Sequence, residues 1–138
     1  MNNYRYEDIT VGMKEVFLYK ITEEKMISFL SLSGDENPIH CNDNYAKEKG
    51  FKDRVVYGML NAALFSTMAG VYLPGKNSLL QQIEVAFIKP VYVNSTVNVC
   101  GEVIGKNDKY RFITVKISIF NEEGIKVCRG KMDVGVLE

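Results

Sequence analysis

Hydrophobic and polar residues follow two different periods along this chain of 138 residues. Up to about residue 73 the apolar residues form helix-like groups, and beyond Ser78 they alternate with polar residues as in half-buried strands. The short connections at 106–109 and 121–124 are of hairpin length, and Glu15–Tyr19 is a candidate first strand. The later predicted strands are Ser78–Lys89, Thr96–Ile104, Arg111–Phe120 and Ile125–Leu137.

Three helices are predicted in the first half of the chain. Thr22 is a typical N-cap and Gly34 a typical helix end, so a helix is expected between them. A short helix is expected over Asn44–Lys49. The third, Gly58–Leu73, has polar residues at 61, 66 and 67, which scatter around the helical wheel and form no polar face. Such a helix should be buried on all sides.

Helices that come first and antiparallel strands that follow indicate the α+β class rather than alternating α/β. One buried helix and about five strands fit a curved sheet wrapped around a long central helix. No repeat, low-complexity tract or linker interrupts the pattern, so residues 1–138 are expected to form a single domain.

Composition excludes several classes of partner. Lys and Arg total 17 and so do Asp and Glu, and no basic block suggests binding to nucleic acid or to a membrane. The three cysteines are widely spaced and only one histidine is present, so a structural zinc site or a disulfide framework is not expected. The polar N-terminus is not a secretory signal, and the apolar stretch Met59–Leu73 is too short to span a bilayer. A cytoplasmic protein with reduced thiols is expected.

The segment from 32 to 40, LSGDENPIH, carries the candidate chemistry. His40 follows Asp35 by five residues, and Pro38 disfavours a helix between them, so a folded loop could bring the two side chains together. A carboxylate beside an imidazole can bind one water and exchange protons with it. The alternative is that Asp35 caps backbone amides and His40 is an ordinary surface residue.

The predicted buried helix offers further candidates. Gly58 begins it, and a helix N-terminus has free N–H groups that could stabilise a developing oxyanion. Ser66 could orient Asp35 or His40, or it could simply bond a carbonyl of its own helix. Tyr57 could form a pocket wall, although an ordinary half-buried aromatic is the favoured interpretation.

Together these segments resemble the MaoC-like family of (R)-specific enoyl-CoA hydratases, which have the hotdog fold. The similarity runs in order over most of the chain. The matching elements are FLSLSGDENPIH (29–40), A-x3-GF (46–51), VVYGMLNAALFS (55–66), LPG (73–75), IEVAFIKPVY (83–92) and V-x-GEV (99–103).

The resemblance implies a role for each matched residue. Asp35 and His40 would be the catalytic pair that holds and activates water, Gly58 would donate its N–H to the thioester carbonyl, and Ser66 would support the pair. Family members often have His where this chain has Tyr57, which puts the surroundings of the pair in question.

The resemblance also implies the reaction and the partners. Water would add reversibly to a trans-2-enoyl thioester and give an (R)-3-hydroxyacyl thioester, with coenzyme A as the carrier and no metal or redox cofactor. A homodimer is implied, with the acyl tunnel near its interface. Lys52, Arg54 and Lys89 are candidates to hold the carrier phosphates.

Three alternatives remain open at this point. A dehydratase acting on acyl-carrier-protein substrates would use the same pair. A hotdog thioesterase would need a carboxylate facing the helix end, and no acid occurs between Arg54 and Gln82. A non-catalytic acyl-thioester-binding subunit would need neither Asp35 nor His40, so the presence of both argues against it.

Overall fold

A five-stranded antiparallel sheet dominates the computed structural model, which describes residues 1–138. Its strands are β1 (Lys14–Lys20), β2 (Ser78–Phe87), β3 (Thr96–Asn107), β4 (Phe112–Phe120) and β5 (Lys126–Val136). They lie side by side in the order β1, β3, β4, β5, β2, so β1 and β2 form the two edges. The strands predicted from the alternating pattern are confirmed, with ends shifted by a few residues.

The central strands β3 and β4 provide the buried face of the sheet. Successive side chains of a strand point to opposite faces, so alternating apolar residues cover one face. Seven such side chains are 0% exposed: Val97, Val99, Val103, Ile113, Val115, Ile117 and Ile119. This continuous apolar surface is where a helix can pack.

Four helices lie in the first half of the chain, α1 (Glu23–Ser33), α2 (Pro38–Cys41), α3 (Asp43–Glu48) and α4 (Gly58–Thr67). A wider π-helical turn, Met68–Tyr72, continues α4. As predicted, Thr22 caps α1 by accepting a hydrogen bond from the Lys25 N–H (3.3 Å), and Gly34 ends it with a φ of +70°. None of these helices is long and apolar enough to cross a membrane.

Helix α4 packs directly on the buried face of the sheet. Leu64, Phe65 and Met68 are 2% exposed or less. Two glycines of the sheet permit the close approach. A Cβ on Gly101 would lie 2.7 Å from the Met68 sulfur, and one on Gly130 would lie 3.0 Å from a ring carbon of Phe65. The predicted architecture, a curved sheet around a central helix, is confirmed.

One face of α4 is nevertheless exposed, contrary to the expected burial on all sides. Met59 is 61% exposed, and Ala63 and Ser66 are exposed as well. Positions 59, 63 and 66 lie on one side of a helix. The sheet covers only the opposite side, so an apolar residue on this side remains in contact with solvent in the protomer.

The edge strand β2 also differs from its prediction. Ile83, Val85 and Phe87 alternate with polar residues as in a half-buried strand, but Phe87 is 50% exposed and only the first two are half-buried. Leu79 is 53% exposed and Leu80 38%. Only β5 pairs with β2, so one edge and much apolar surface of this strand are uncovered.

Arg54 connects its own loop to the starts of α1 and α3. Its guanidinium donates to Glu23 at the start of α1 (2.6 Å) and to Asp43 at the start of α3 (2.8 Å). The Arg54 side chain is only 16% exposed, and its hydrogen bonds lower the pKa of Glu23. Two carboxylates already neutralise this cation, so the geometry does not support its predicted contact with a carrier phosphate.

The Glu23–Arg54 pair predicts a pH-dependent stability. We expect Glu23→Gln to lower the free energy of unfolding at pH 7 by up to about 1 kcal/mol, since Glu23 is partly exposed and water weakens the pair. The lowered pKa means that ionised Glu23 stabilises the fold above the ordinary glutamate range. This contribution is lost as the pH falls through that lowered pKa, which urea unfolding between pH 7 and pH 3 measures.

Glu24→Gln is the matched control for this experiment. It removes a second first-turn carboxylate from α1, so both variants change the interaction with the helix dipole equally. Of these two glutamates, only Glu23 binds Arg54. Equal losses in the two variants at pH 7 would contradict the role of the ion pair.

Candidate active site

His40 lies on α2, a single helical turn that begins at Pro38. Asn37 caps this turn, because its Oδ1 accepts a hydrogen bond from the Ile39 N–H (3.1 Å). The imidazole is held by Val55, whose carbonyl oxygen lies 2.6 Å from the His40 Nδ1. A carbonyl oxygen can only accept, so Nδ1 carries a proton and Nε2 is the nitrogen left free to exchange one.

Asp35 lies in the loop between α1 and α2. Its N–H donates to Ser33 Oγ (3.2 Å), and its Oδ1 accepts a hydrogen bond from the Asn37 N–H (3.2 Å). The side chain is exposed. One carboxylate oxygen of Asp35 therefore orders this loop. The loop was predicted to extend to His40, but it ends at Asn37, because α2 begins at Pro38.

Tyr57 contacts both members of the predicted pair. Its ring stacks on the His40 ring with centroids 4.1 Å apart, and its hydroxyl donates to the Asp35 carbonyl oxygen (3.0 Å). The residue is 2% exposed, and burial raises the pKa of the Tyr57 hydroxyl, which also lies 3.6 Å from Cys41 Sγ. The sequence favoured an ordinary half-buried aromatic here, whereas the structure shows a buried phenol that links two segments.

A cleft of about 240 Å³ lies between the start of α4 and the segment that follows β2. Gly58 begins α4, where backbone N–H groups have no partner within the helix. A Cβ on Gly58 would lie 3.3 Å from the Phe87 ring, so only glycine leaves this approach open. The lining residues are His40, Val55, Val56, Gly58, Asn61, Phe87, Ile88, Lys89, Pro90 and Val91.

The structure brings together two of the four predicted site residues, His40 and Gly58, as lining of one cleft. Asp35 lies outside the cleft wall, although its carbonyl oxygen is bonded to Tyr57 beside the His40 ring. No hydrogen bond joins the side chains of Asp35 and His40. Ser66 is exposed on the outward face of α4 and bonds neither of them. The roles assigned to these four residues stay predictions.

Charged side chains gather at a second groove of about 460 Å³. This groove shares Lys89, Pro90 and Val91 with the cleft, so the two adjoin. Lys52 also lines it, with its ammonium 6.0 Å from the centre of the Tyr92 ring. No group of three or more His, Cys, Asp or Glu side chains is arranged to hold a metal ion.

A sheet wrapped around α4, with a histidine and a helix N-terminus lining one cleft, defines a hotdog-fold protein. The family model described as a MaoC-like domain matches residues 9–123. This match covers well over half of the sequence. The chain therefore belongs to the MaoC-like domain family.

Individual relatives are similar over most of their length. The (R)-specific enoyl-CoA hydratase of Rhodospirillum rubrum is 33% identical over 111 residues, which cover 80% of this chain and 77% of that protein. The (R)-specific enoyl-CoA hydratase of Aeromonas caviae is 30% identical over 125 residues, or 91% and 93% of the two chains. The solved structure of unliganded R-hydratase PhaJ1 from Pseudomonas aeruginosa matches with a TM-score of 0.92 at 30% identity, covering 99% of this chain and 87% of that one.

The stacking of His40 on Tyr57 predicts a spectroscopic signature. His40 is the only histidine, so its ring protons give one readily assigned set of NMR signals. The aromatic ring 4.1 Å away should shift them by its ring current. We expect Tyr57→Leu to abolish this shift and Tyr57→Phe to retain it. Identical His40 signals in wild type and Tyr57→Leu would show that the rings do not stack.

Proposed function

We propose that this chain is a hydro-lyase acting on acyl thioesters, and more narrowly an (R)-specific enoyl-CoA hydratase. It would add water reversibly to trans-2-enoyl-CoA and give (R)-3-hydroxyacyl-CoA. The cleft lined by both His40 and Gly58 is the observation that carries the proposal. The two relatives named as (R)-specific enoyl-CoA hydratases support the reaction and the configuration of the product.

In the proposed mechanism one water molecule lies between Asp35 and His40. Its oxygen forms a bond to C3, its proton passes to one member of the pair, and the electrons of the C2–C3 double bond move toward the thioester carbonyl. A proton then reaches C2 and restores the carbonyl. Because Val55 occupies Nδ1 of the imidazole, Nε2 is the His40 atom available for proton transfer.

The start of α4 would stabilise the negative charge that develops on the thioester oxygen. A backbone N–H at Gly58 has no helical partner, and the positive end of the helix dipole lies there. Donors that are already oriented toward a developing oxyanion lower its energy without reorganisation. Glycine at position 58 leaves the helix N-terminus accessible, since a Cβ there would lie 3.3 Å from the Phe87 ring.

Tyr57 would fix the positions of Asp35 and His40 relative to each other, since it contacts both the His40 ring and the Asp35 backbone. In this proposal it is a positioning residue rather than a proton donor, because burial raises the pKa of its hydroxyl and keeps it protonated. Ser66 faces outward on α4, so its predicted support of the pair would have to act across an interface with a second copy.

We propose that the functional unit is a homodimer formed along β2. This strand of ten residues has one unpaired edge, and such an edge readily pairs with another strand. Leu79 on β2 and Met59 on α4 are 53% and 61% exposed, which leaves apolar surface beside that edge. Phe87 and Ile88 line the cleft at the end of β2, so a second copy would also bound the acyl site.

The groove beside the cleft bears on the carrier, and the free cysteines bear on the compartment. The adjoining groove has Lys52 and Lys89 on its wall, together with Asp53, Glu122 and Glu123. The two ammonium groups would bind the phosphates of coenzyme A on the side away from these carboxylates. The steps are the addition of water and two proton transfers, with no net change of oxidation state, so the proposed reaction calls for no metal or redox cofactor. We expect a cytoplasmic protein, because the three cysteines are all free and the cytosol keeps thiols reduced.

A hydration assay with crotonyl-CoA tests the proposed function. We expect loss of the conjugated double bond, followed by oxidation of the product with an R-specific but not an S-specific 3-hydroxyacyl-CoA dehydrogenase. Asp35→Asn and His40→Gln should each lower kcat by roughly 10²-fold or more, as is typical when a positioned acid–base group is removed. Thermal unfolding should show that both variants fold.

Glu36→Gln is the matched control for these variants, because it removes an exposed carboxylate adjacent to Asp35. It should keep wild-type activity. Running the assay with coenzyme A and acyl-carrier-protein thioesters separates the two carriers. Full activity in Asp35→Asn or in His40→Gln would refute the catalytic pair.

Sedimentation equilibrium tests the dimer. The double substitution Met59→Glu with Leu79→Glu places charges on the apolar surface beside β2 and should yield monomers. The control is Val16→Glu with Leu18→Glu on β1, at the opposite edge of the sheet, where the side chains are 54% and 70% exposed. A wild-type monomer, or a control that dissociates equally, would rule out the β2 interface.

A further inference from the structure

Asn61 is the one buried polar side chain that lines the cleft. It is 4% exposed, and its Oδ1 has no hydrogen-bond partner in the protein. Leaving a buried amide oxygen without a donor is unfavourable, and such groups in folded proteins usually have a partner. The proposed catalytic steps make no use of Asn61, so its amide calls for another explanation.

The position of Asn61 on α4 relates it to the thioester. Asn61 follows Gly58 by three residues, so the two lie on the same side of the helix about 4.5 Å apart along its axis. A thioester oxygen held at Gly58 would therefore place the acyl chain beside Asn61. Carbon C4 is three bonds of about 1.5 Å from the carbonyl carbon, which gives a similar reach.

We propose that Asn61 is a specificity residue that hydrogen-bonds a hydroxyl group at C4 of the acyl chain. The inference rests on the proposed function for the placement of the thioester. The preferred substrates would be short 2-enoyl thioesters that carry this hydroxyl rather than plain alkyl chains.

The chemistry of the cleft selects a hydroxyl over other groups. The unpaired Oδ1 is itself buried, so a ligand hydroxyl reaches the amide by accepting from its nitrogen, or by donating to Oδ1 once the amide has turned over. A methyl group at the same place would leave the amide without a hydrogen-bond partner. The remaining wall is largely apolar, with Phe87, Ile88 and Val91, and a cleft of about 240 Å³ fits a short chain.

Binding of two saturated analogues tests the proposal without turnover. An amide N–H replaces the thioester sulfur in both, because the 4-hydroxyl of a saturated thioester would attack C1 and close a lactone. The 4-hydroxybutanoyl and pentanoyl amides of this form differ by a hydroxyl in place of a methyl group of similar size. Calorimetry with the wild type should give at least about tenfold tighter binding of the hydroxy compound, as expected when an unpaired buried amide gains a hydrogen-bond partner. Asn61→Leu should abolish or reverse this preference.

The same comparison applies to catalysis. Wild type should hydrate 4-hydroxy-trans-2-butenoyl-CoA with a higher kcat/KM than trans-2-pentenoyl-CoA, and Asn61→Leu should favour the second substrate. Asn61→Ala provides a second variant should leucine fail to fit. Asn98→Leu is the control, because the Asn98 Oδ1 is also buried without a partner but does not line the cleft. Its preference should match that of the wild type.

The unliganded stability separates a ligand contact from a structural role. Replacing an unpaired amide by leucine should leave the unfolding midpoint unchanged or raise it. Equal binding of the two saturated analogues by wild type, or a preference unchanged in Asn61→Leu and Asn61→Ala, overturns the proposal. If the preference is present but no enoyl thioester is hydrated, the specificity stands and the proposed function fails. If neither analogue binds but crotonyl-CoA is hydrated, the specificity fails and the proposed function stands.

Discussion

The junction at residues 55–58, which leads into α4, positions the His40 imidazole, the Tyr57 ring and the N-terminus of α4. Its first carbonyl holds the imidazole of His40, and the Val56 N–H donates to the Val91 carbonyl oxygen (2.7 Å), which anchors the junction to the opposite wall of the cleft. Tyr57 then contacts both sides of the predicted pair. The close packing of α4 on the sheet keeps this junction in place, because a rigid helix transmits its position to the backbone that precedes it.

Much of the fold and part of the site follow from local patterns in the sequence. Period-two alternation identified the four strands beyond Ser78, and capping residues such as Thr22 and Gly34 placed the ends of α1. These features depend on neighbours a few residues apart, which a sequence displays directly. Local patterns did not place His40 and Gly58 in one site. The five-residue spacing of Asp35 and His40 became informative only together with the ordered motifs that resemble the family.

Features that depend on distant partners could not be predicted. The contact of Tyr57 with Asp35 spans 22 residues, and the ion pair of Arg54 with Glu23 spans 31. The residues next to Arg54 and Asn61 in the sequence do not indicate that the Arg54 charge is neutralised or that the Asn61 amide oxygen has no partner. The exposed face of α4 was missed for a related reason. A helical wheel shows that a face is apolar but cannot say whether sheet, solvent or a second chain covers it.

The two walls of the cleft differ in how deeply their residues are buried, and this affects how proteins with this fold can diversify. One wall belongs to α4, whose other side is the core, so changes in its shape disturb packing and cost stability. The facing wall includes Phe87 and Ile88, which are 50% and 44% exposed and contribute little to the core of the protomer. New acyl preferences can therefore evolve from the β2 side with little effect on folding, whereas the helix side resists change.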